Sequence, residues 1–483
     1  MAGLKSLVKD TALYGVSSII GRFLNYLLVP IYTAAMSTAS GGYGIITEIY
    51  AWTALFMVIL TYGMETTFFR FVNKETQISD SEKVYSTVLI MVGSTSLLFA
   101  VSCMLLLQPI ADAMGFGNHP WYVGMMLLVV AMDAFQSIPF AYLRYKKRPI
   151  KFVALKMLFI VLNITLNMIY YVFMGNSNVF YAFLFNLICT SIIMVLLIPE
   201  LRFRGGFDKP LAKKMLNYSY PIMILGVAGV LNQVADKIMF KYIYPDPEKA
   251  ESQLSIYSAC SKIAMIMAML TQAFRYAYEP FVFGESRAKD NKAVYAKAMK
   301  YFIIFTLLAF LAVVYYLDIL KYILGPEYWG GLKVVPIVMA AEIFMGVFFN
   351  LSFWYKLIDE TKWGAYFSFT GCAVLVLINI VFMPKYGFMA CAWGGFAGYA
   401  VAMLLSYFVG QKKYPIAYDL RGIALYVGLA LVLYAAGEWI PITNIVLLLA
   451  FRTLLLLLFV AYIIKTDLPL NQIPVINRFI KKK

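Results

Sequence analysis

Charge is scarce in this chain of 483 residues: 14% are Asp, Glu, Lys or Arg, against 62% hydrophobic. That balance excludes a soluble globular domain, which carries markedly more charge and less apolar surface. Histidine is almost missing. The one present, His119, stands beside Pro120 in a connection, with no second histidine to share a metal or a proton. Enzymes built on a membrane histidine are disfavoured by that alone. The five cysteines, Cys103, Cys189, Cys260, Cys372 and Cys391, all fall inside apolar runs, so neither a disulfide framework nor a metal site is expected. Long polar loops are absent too: none exceeds about 25 residues, which leaves no room for the soluble part of a glycosyltransferase or polymerase. The expectation is a protein that is not an enzyme and has no cofactor.

What remains is a succession of apolar runs, each long enough to cross about 30 Å of hydrocarbon at 1.5 Å per residue. Fourteen are read, near 12–36, 43–69, 84–108, 120–143, 152–174, 178–199, 216–243, 253–275, 299–318, 332–355, 363–383, 387–410, 420–439 and 442–464. Strands of a membrane barrel alternate over about ten residues, whereas these runs are continuous and about twice as long. The fold is therefore predicted to be all-α and integral to a membrane.

Lys and Arg between the runs give an orientation. One set of alternate connections carries the clusters Arg144 to Lys151, Arg202 to Lys214 and Arg287 to Lys300, with both chain ends. The opposite set holds only Lys249, Lys321, Lys333 and Lys385. Cytoplasmic loops retain basic residues, so both termini are expected inside, which requires an even number of spans. The net charge of +16 is explained the same way, by topology and an anionic inner leaflet, and nucleic acid is not an expected partner. The first run is too long for the apolar core of a signal peptide and carries Arg22, so it is not expected to be cleaved. The tail after Asp467 spaces Ile473, Ile476 and Ile480 among basic residues and reads as a helix lying on the inner leaflet.

A weak internal repeat organises the runs. A shift of 207 places Leu24-Asn25 on Leu231-Asn232; a shift of 214 places Tyr43-Gly44 on Tyr257-Ser258, Glu48 on Lys262, Glu65 on Glu279 and Phe69 on Phe283. Such a repeat implies two six-helix lobes, residues 1–200 and 216–410, joined by the basic linker 201–215. Helices 13 and 14 follow in 411–465, then the tail 466–483.

Cations inside the runs are the clearest chemical signal, because each costs roughly 2.5 to 3.5 kcal/mol at the bilayer centre and usually faces something anionic. Arg22, Lys237 and Lys262 lie within runs, and Arg275 lies near the end of one. With Asn25, one turn from Arg22, they are candidate contacts for an anion. The acids Glu48, Glu65, Asp133, Asp236 and Glu342 are read as charge partners or as sites for H+ or Na+. Arg22 is expected to have Glu48 as its alternative partner. Asp236 and Lys237 are neighbours whose side chains leave a helix about 100° apart, so one is free to face a cavity while the other pairs elsewhere. Lys156 and Arg452 are expected to tie helices to carbonyls or to the interface. Gly394, Gly395 and Gly398 give the small-residue spacing of close helix packing.

Four segments resemble a known family: Tyr14 to Thr33 (YGVSSIIGRFLNYLLVPIYT), Tyr43 to Phe71, Leu231 to Phe240 (LNQVADKIMF) and Ile256 to Phe281. They are similar to helices 1, 2, 7 and 8 of the polysaccharide flippases of the multidrug/oligosaccharidyl-lipid/polysaccharide exporter superfamily. The resemblance extends over the chain in helix number and layout. It implies a V-shaped pair of lobes in a bacterial inner membrane, opening alternately to either side. It further implies as cargo an undecaprenyl-diphosphate-linked oligosaccharide, an O-antigen or capsule repeat unit, moved from inner to outer leaflet, with polysaccharide-assembly proteins as further partners. Two other readings stay open, a peptidoglycan-precursor (lipid II) flippase and an ion-coupled multidrug exporter.

Overall fold

The structure is a computed structural model that describes residues 26–72, 78–203, 205–285, 291–358 and 360–467. Among them every long element is a helix and there is no strand. We number the helices α1 (Leu28–Ala35), α2 (Gly42–Val72), α3 (Ser81–Leu105), α4 (Pro120–Tyr145), α5 (Pro149–Phe173), α6 (Phe180–Glu200) and α7 (Lys209–Ile243). They continue as α8 (Pro247–Glu285), α9 (Lys292–Tyr315), α10 (Pro326–Leu357), α11 (Lys362–Tyr386), α12 (Phe388–Lys413), α13 (Leu420–Trp439) and α14 (Ile445–Thr466). Thirteen, α2 to α14, contain a stretch long and apolar enough to cross a bilayer. Most of the first run, and the tail after Asp467, lie outside the described residues.

Local chemistry sets the helix ends. Asp208 caps α7, its Oδ1 accepting from Leu211 N at 2.9 Å, while its other oxygen takes Lys83 of α3 at 2.9 Å. The backbone donation, then the lysine, holds the Asp208 carboxyl below the ordinary aspartate range. Asn444 caps α14 through Val446 N and Leu447 N. Within α2 the run breaks at Tyr62 and Gly63, both with positive φ, 31° and 71°. Glycine is required at 63 by space as well, since a Cβ there would lie 2.9 Å from Ile222 of α7. The α5 helix ends in a π-helical turn, Met168–Phe173, after Asn167, which is fully buried and accepts from Tyr32 OH at 2.9 Å.

The chain divides into two compact units. Up to Lys262, together with Ser368–Gly398, it forms the first; Ile263–Phe367 and Tyr399 onward form the second. In the first, α4 is the central helix, packed by α2, α3 and α6, and α2 also lies along α7. Phe68, Tyr85 and Tyr142 are buried where α2, α3 and α4 meet, with Tyr85 stacked on Tyr142 at 4.1 Å. In the second, α9 takes the central place, packed by α10, α13 and α14. Apolar side chains such as Leu97, Leu98, Phe173, Leu457 and Leu458 point outward from both units. That is the surface a lipid solvent requires.

Alternate connections of the first unit gather at opposite ends. At the Lys-rich end Lys83 meets Asp208, Lys151 meets Glu200 at 2.6 Å, and Ser86 donates to Arg202 O at 3.0 Å. At the Lys-poor end the α1–α2, α3–α4 and α7–α8 connections converge: Lys241 donates to Gly115 O at 3.1 Å, Tyr242 to Ala113 O at 3.1 Å, and Ser255 to Gly41 O at 3.1 Å. The α11–α12 turn at Gly387 sits against Tyr244 and Gln253. Further along α12, a Cβ on Gly398 would lie 2.7 Å from Gly371 O, so the small-residue spacing serves close backbone packing on α11. All five cysteines are buried and none is in a disulfide.

Candidate functional site

Three helices of the first unit, α2, α7 and α8, carry Glu48, Asp236, Lys237 and Lys262. On α7, Asn232 donates to Ala228 O at 3.0 Å and to Ser368 O at 2.8 Å, fixing that face of the helix against the start of the α11 segment. One turn on, Asp236 is buried and accepts from Tyr257 OH of α8 at 2.7 Å. Lys237 does not point away from its neighbour as the sequence suggested. Its long stem folds back so that Nζ reaches Asp236 Oδ1 at 3.2 Å and Gln233 O at 2.9 Å, with the Tyr257 ring 5.7 Å away.

Lys262 lies half-buried on α8 and has no hydrogen-bond or ion-pair partner among the described residues. The charge that acts on it is that of Lys237, another cation. Two cations sharing one apolar environment repel each other, and Asp236 offsets only one of them. The arrangement is thus short of negative charge and donor-rich, the requirement for holding a phosphate group.

The other expected site residues fall elsewhere. Arg22 and Asn25 lie outside the described residues. Arg275, on the second unit's part of α8, is half-buried with its guanidinium 4.6 Å over the Phe349 ring. Glu65 of α2 pairs with Arg144 of α4. Asp133 is half-buried on α4, where Lys156 is the charge acting on it, and Lys156 itself sits 4.0 Å over the Phe140 ring. Glu342 is half-buried on α10. Glu48 of α2 is fully buried, with neither carboxylate oxygen hydrogen-bonded within the described residues.

Lys241 was not singled out in the sequence, yet it ties α7 and α8 to the α3–α4 connection. It bonds Glu251 Oε1 at 2.9 Å as well as Gly115 O, and its Nζ lies 4.0 Å over the Phe116 ring. The available signal was its spacing, four residues beyond Lys237 and so on the same helix face. Beside it, α2 and α8 approach as closely as backbones can: Gly44 N donates to Ser255 Oγ at 2.6 Å, and a Cβ on Gly44 would lie 2.4 Å from Glu251 O.

Arg452 of α14, by contrast, is saturated. It donates to Gly437 O at 3.1 Å, Tyr315 O at 3.2 Å, Asp318 Oδ2 at 2.9 Å and Glu438 Oε1 at 2.9 Å. It ties helices together through carbonyls and carboxylates, as expected from the sequence.

Among solved structures the chain is similar to the lipid II flippase MurJ in an inward closed conformation, with TM-score 0.72 and 13% identity over 94% of this chain and 99% of that one. It is also similar to an inward-facing multidrug resistance MATE family transporter of the MOP superfamily, with TM-score 0.65 and 13% identity over 83% and 94%. A third is the MATE multidrug transporter DinF-BH, with TM-score 0.60 and 15% identity over 84% and 95%. These likenesses are of fold. No curated protein matches in sequence. The family model described as polysaccharide biosynthesis protein matches residues 7–277, more than half the chain. The chain therefore belongs to the polysaccharide biosynthesis protein family.

Proposed function

We propose that this protein is a flippase for an undecaprenyl-diphosphate-linked oligosaccharide, the repeat unit of a surface polysaccharide such as O-antigen or capsule. It works by alternating access in the bacterial inner membrane. The observation that carries the reading is the pair Lys237 and Lys262, of which Lys262 has no acidic or hydrogen-bonding partner among the described residues. A diphosphate brings about two negative charges into an apolar interior, and it gives Lys262 what the described residues do not. Arg22, Asn25 and Arg275 are proposed as further contacts along its route. The orientation that goes with it places the Lys-rich connections and both termini in the cytoplasm. Outward movement of a dianion is then favoured by an inside-negative potential at about 2.3 kcal/mol per charge per 100 mV.

The likeness to MurJ favours one second reading, in which the cargo is the lipid-linked peptidoglycan precursor. The diphosphate contact is common to both, so the test must vary the glycan. In liposomes containing the purified protein, defined undecaprenyl-diphosphate glycans are followed from leaflet to leaflet, with cationic dyes alongside. Movement of a surface-polysaccharide repeat unit is expected. Preference for the peptidoglycan precursor supports the second reading, and export of dyes without any glycan movement rejects both.

A further inference from the structure

Glu48 is left unexplained by a diphosphate site. It is a carboxylate with no exposed surface, and neither oxygen has a hydrogen-bond partner among the described residues. An ionised carboxylate buried without donors is among the most expensive arrangements in a protein, by several kcal/mol at least, and in practice such a group is neutralised. Among the described residues the titratable groups acting on it come from two helices, Lys241 and Tyr242 of α7 and Glu251 of α8, while Arg22, its expected partner, lies outside them. Lys241 is already engaged by Glu251, Gly115 O and the Phe116 ring, so its charge is shared before it reaches Glu48. The described part of α1 contains no charged residue, α3 contributes no charge acting on Glu48, and Asp133 of α4 acts on Tyr50 instead.

Glu48 also sits one turn below the place where α2 and α8 are locked. Gly44 N and Gly41 O are both held by the Ser255 hydroxyl, and the Gly44 backbone comes so close to Glu251 that no larger residue fits. We infer that Glu48 is a proton-binding site that governs this seal: the closed α2–α8 contact requires the carboxyl protonated, and deprotonation releases it. When α2 and α8 part, water reaches the carboxyl, its O–H bond breaks, and the proton passes to water on the Lys-poor side. The carboxylate then competes with Glu251 for Lys241, which weakens the clamp on the α3–α4 connection. Closing reverses each step, with a proton taken from the same side. The inference builds on the flippase reading, in which this seal must open to release cargo.

The test uses the full chain in liposomes with Ser252→Cys, a half-buried position beside the seal. Its labelling by a membrane-impermeant maleimide is read by peptide mass spectrometry, so the native cysteines stay in place. The maleimide reacts with the thiolate, so each rate is divided by that of the same cysteine in denatured protein at the same pH. Opening linked to loss of one proton gains up to tenfold per pH unit, so the corrected rate is expected to rise at least about tenfold from pH 6 to pH 9. In Glu48→Gln, whose amide stands in for the protonated acid, labelling is expected to be slow at every pH. Glu48→Asp, which still titrates, is expected to keep the rise. A wild-type rate indifferent to pH, a rise that persists in Glu48→Gln, or a rate set by Na+ rather than pH would each overturn the inference. Glycan movement in the same liposomes separates the two readings. Gated labelling lost in Glu48→Gln without any glycan movement keeps the proton site and rejects the flippase, and glycan movement with pH-indifferent labelling does the reverse.

Discussion

Lys262 on α8 and Arg452 on α14 are both basic residues inside apolar spans, and they have opposite surroundings. Arg452 donates to two carbonyls and two carboxylates. Lys262 finds nothing among the described residues except the repulsion of Lys237. The cost of placing a cation in an apolar medium is similar for both, so it must be offset in both. In the second unit the protein supplies the offset itself, and Arg452 is a structural tie. For Lys262 the described residues supply none, and on the proposed reading the offset comes from the cargo.

The comparison makes stability and transport separable. Replacing Lys237 and Lys262 together by alanine removes two charge-assisted contacts of about 1.5 to 3 kcal/mol each, so transport should fall by about a hundredfold or more. Thermal unfolding in detergent should be unchanged or slightly raised for Lys262→Ala alone, because no partner is left behind. A lower midpoint there would mean that Lys262 is a tie as well. Arg452→Met should do the opposite. It strands Glu438, while Asp318 keeps Lys321 at 3.2 Å. Partial exposure and this remaining pair bring the penalty down to about 2 kcal/mol, while transport per folded molecule stays near wild type.

Gly44→Ala forces the α2–α8 contact apart, because a Cβ at 2.4 Å from Glu251 O meets backbone rather than a flexible side chain. Overpacking of this kind costs about 1 to 3 kcal/mol and should show as faster labelling at Ser252→Cys. The smallest effect is in acid. Asp419 is held below its ordinary range by Lys300, then by the Gly422 amide, and Glu360 by Lys413, then by the Trp363 N–H. For carboxyls depressed in the folded state the stabilisation is full above the unfolded value and is lost as pH falls through the folded one. Unfolding midpoints should therefore hold steady down to about pH 4 and drop below it.

Much of the fold was legible because hydropathy reports single helices directly. The run read at 420–439 is the helix Leu420–Trp439. The run read from 216 begins at Lys209, since its first turns are polar and are held by the Asp208 cap rather than by lipid. The break at Tyr62 and Gly63 was not legible, because it depends on Ile222 of another helix. The site was legible in residue type and not in partnership. That Lys237 turns back onto Asp236, that Lys241 clamps the α3–α4 connection, and that Glu48 has no donor among the described residues follow from how helices are rotated against each other. A run of apolar residues with no strong periodicity does not encode that rotation.

The central claim is that the uncompensated lysine of the first unit is completed by an anionic lipid headgroup. The most direct measurement is equilibrium binding of undecaprenyl diphosphate to the purified protein, wild type against Lys262→Ala, across a range of salt. Affinity should fall by about tenfold or more in the variant, with a shallower salt dependence, as loss of one charge-assisted contact requires. Equal affinity and an equal salt slope in the two proteins would contradict it.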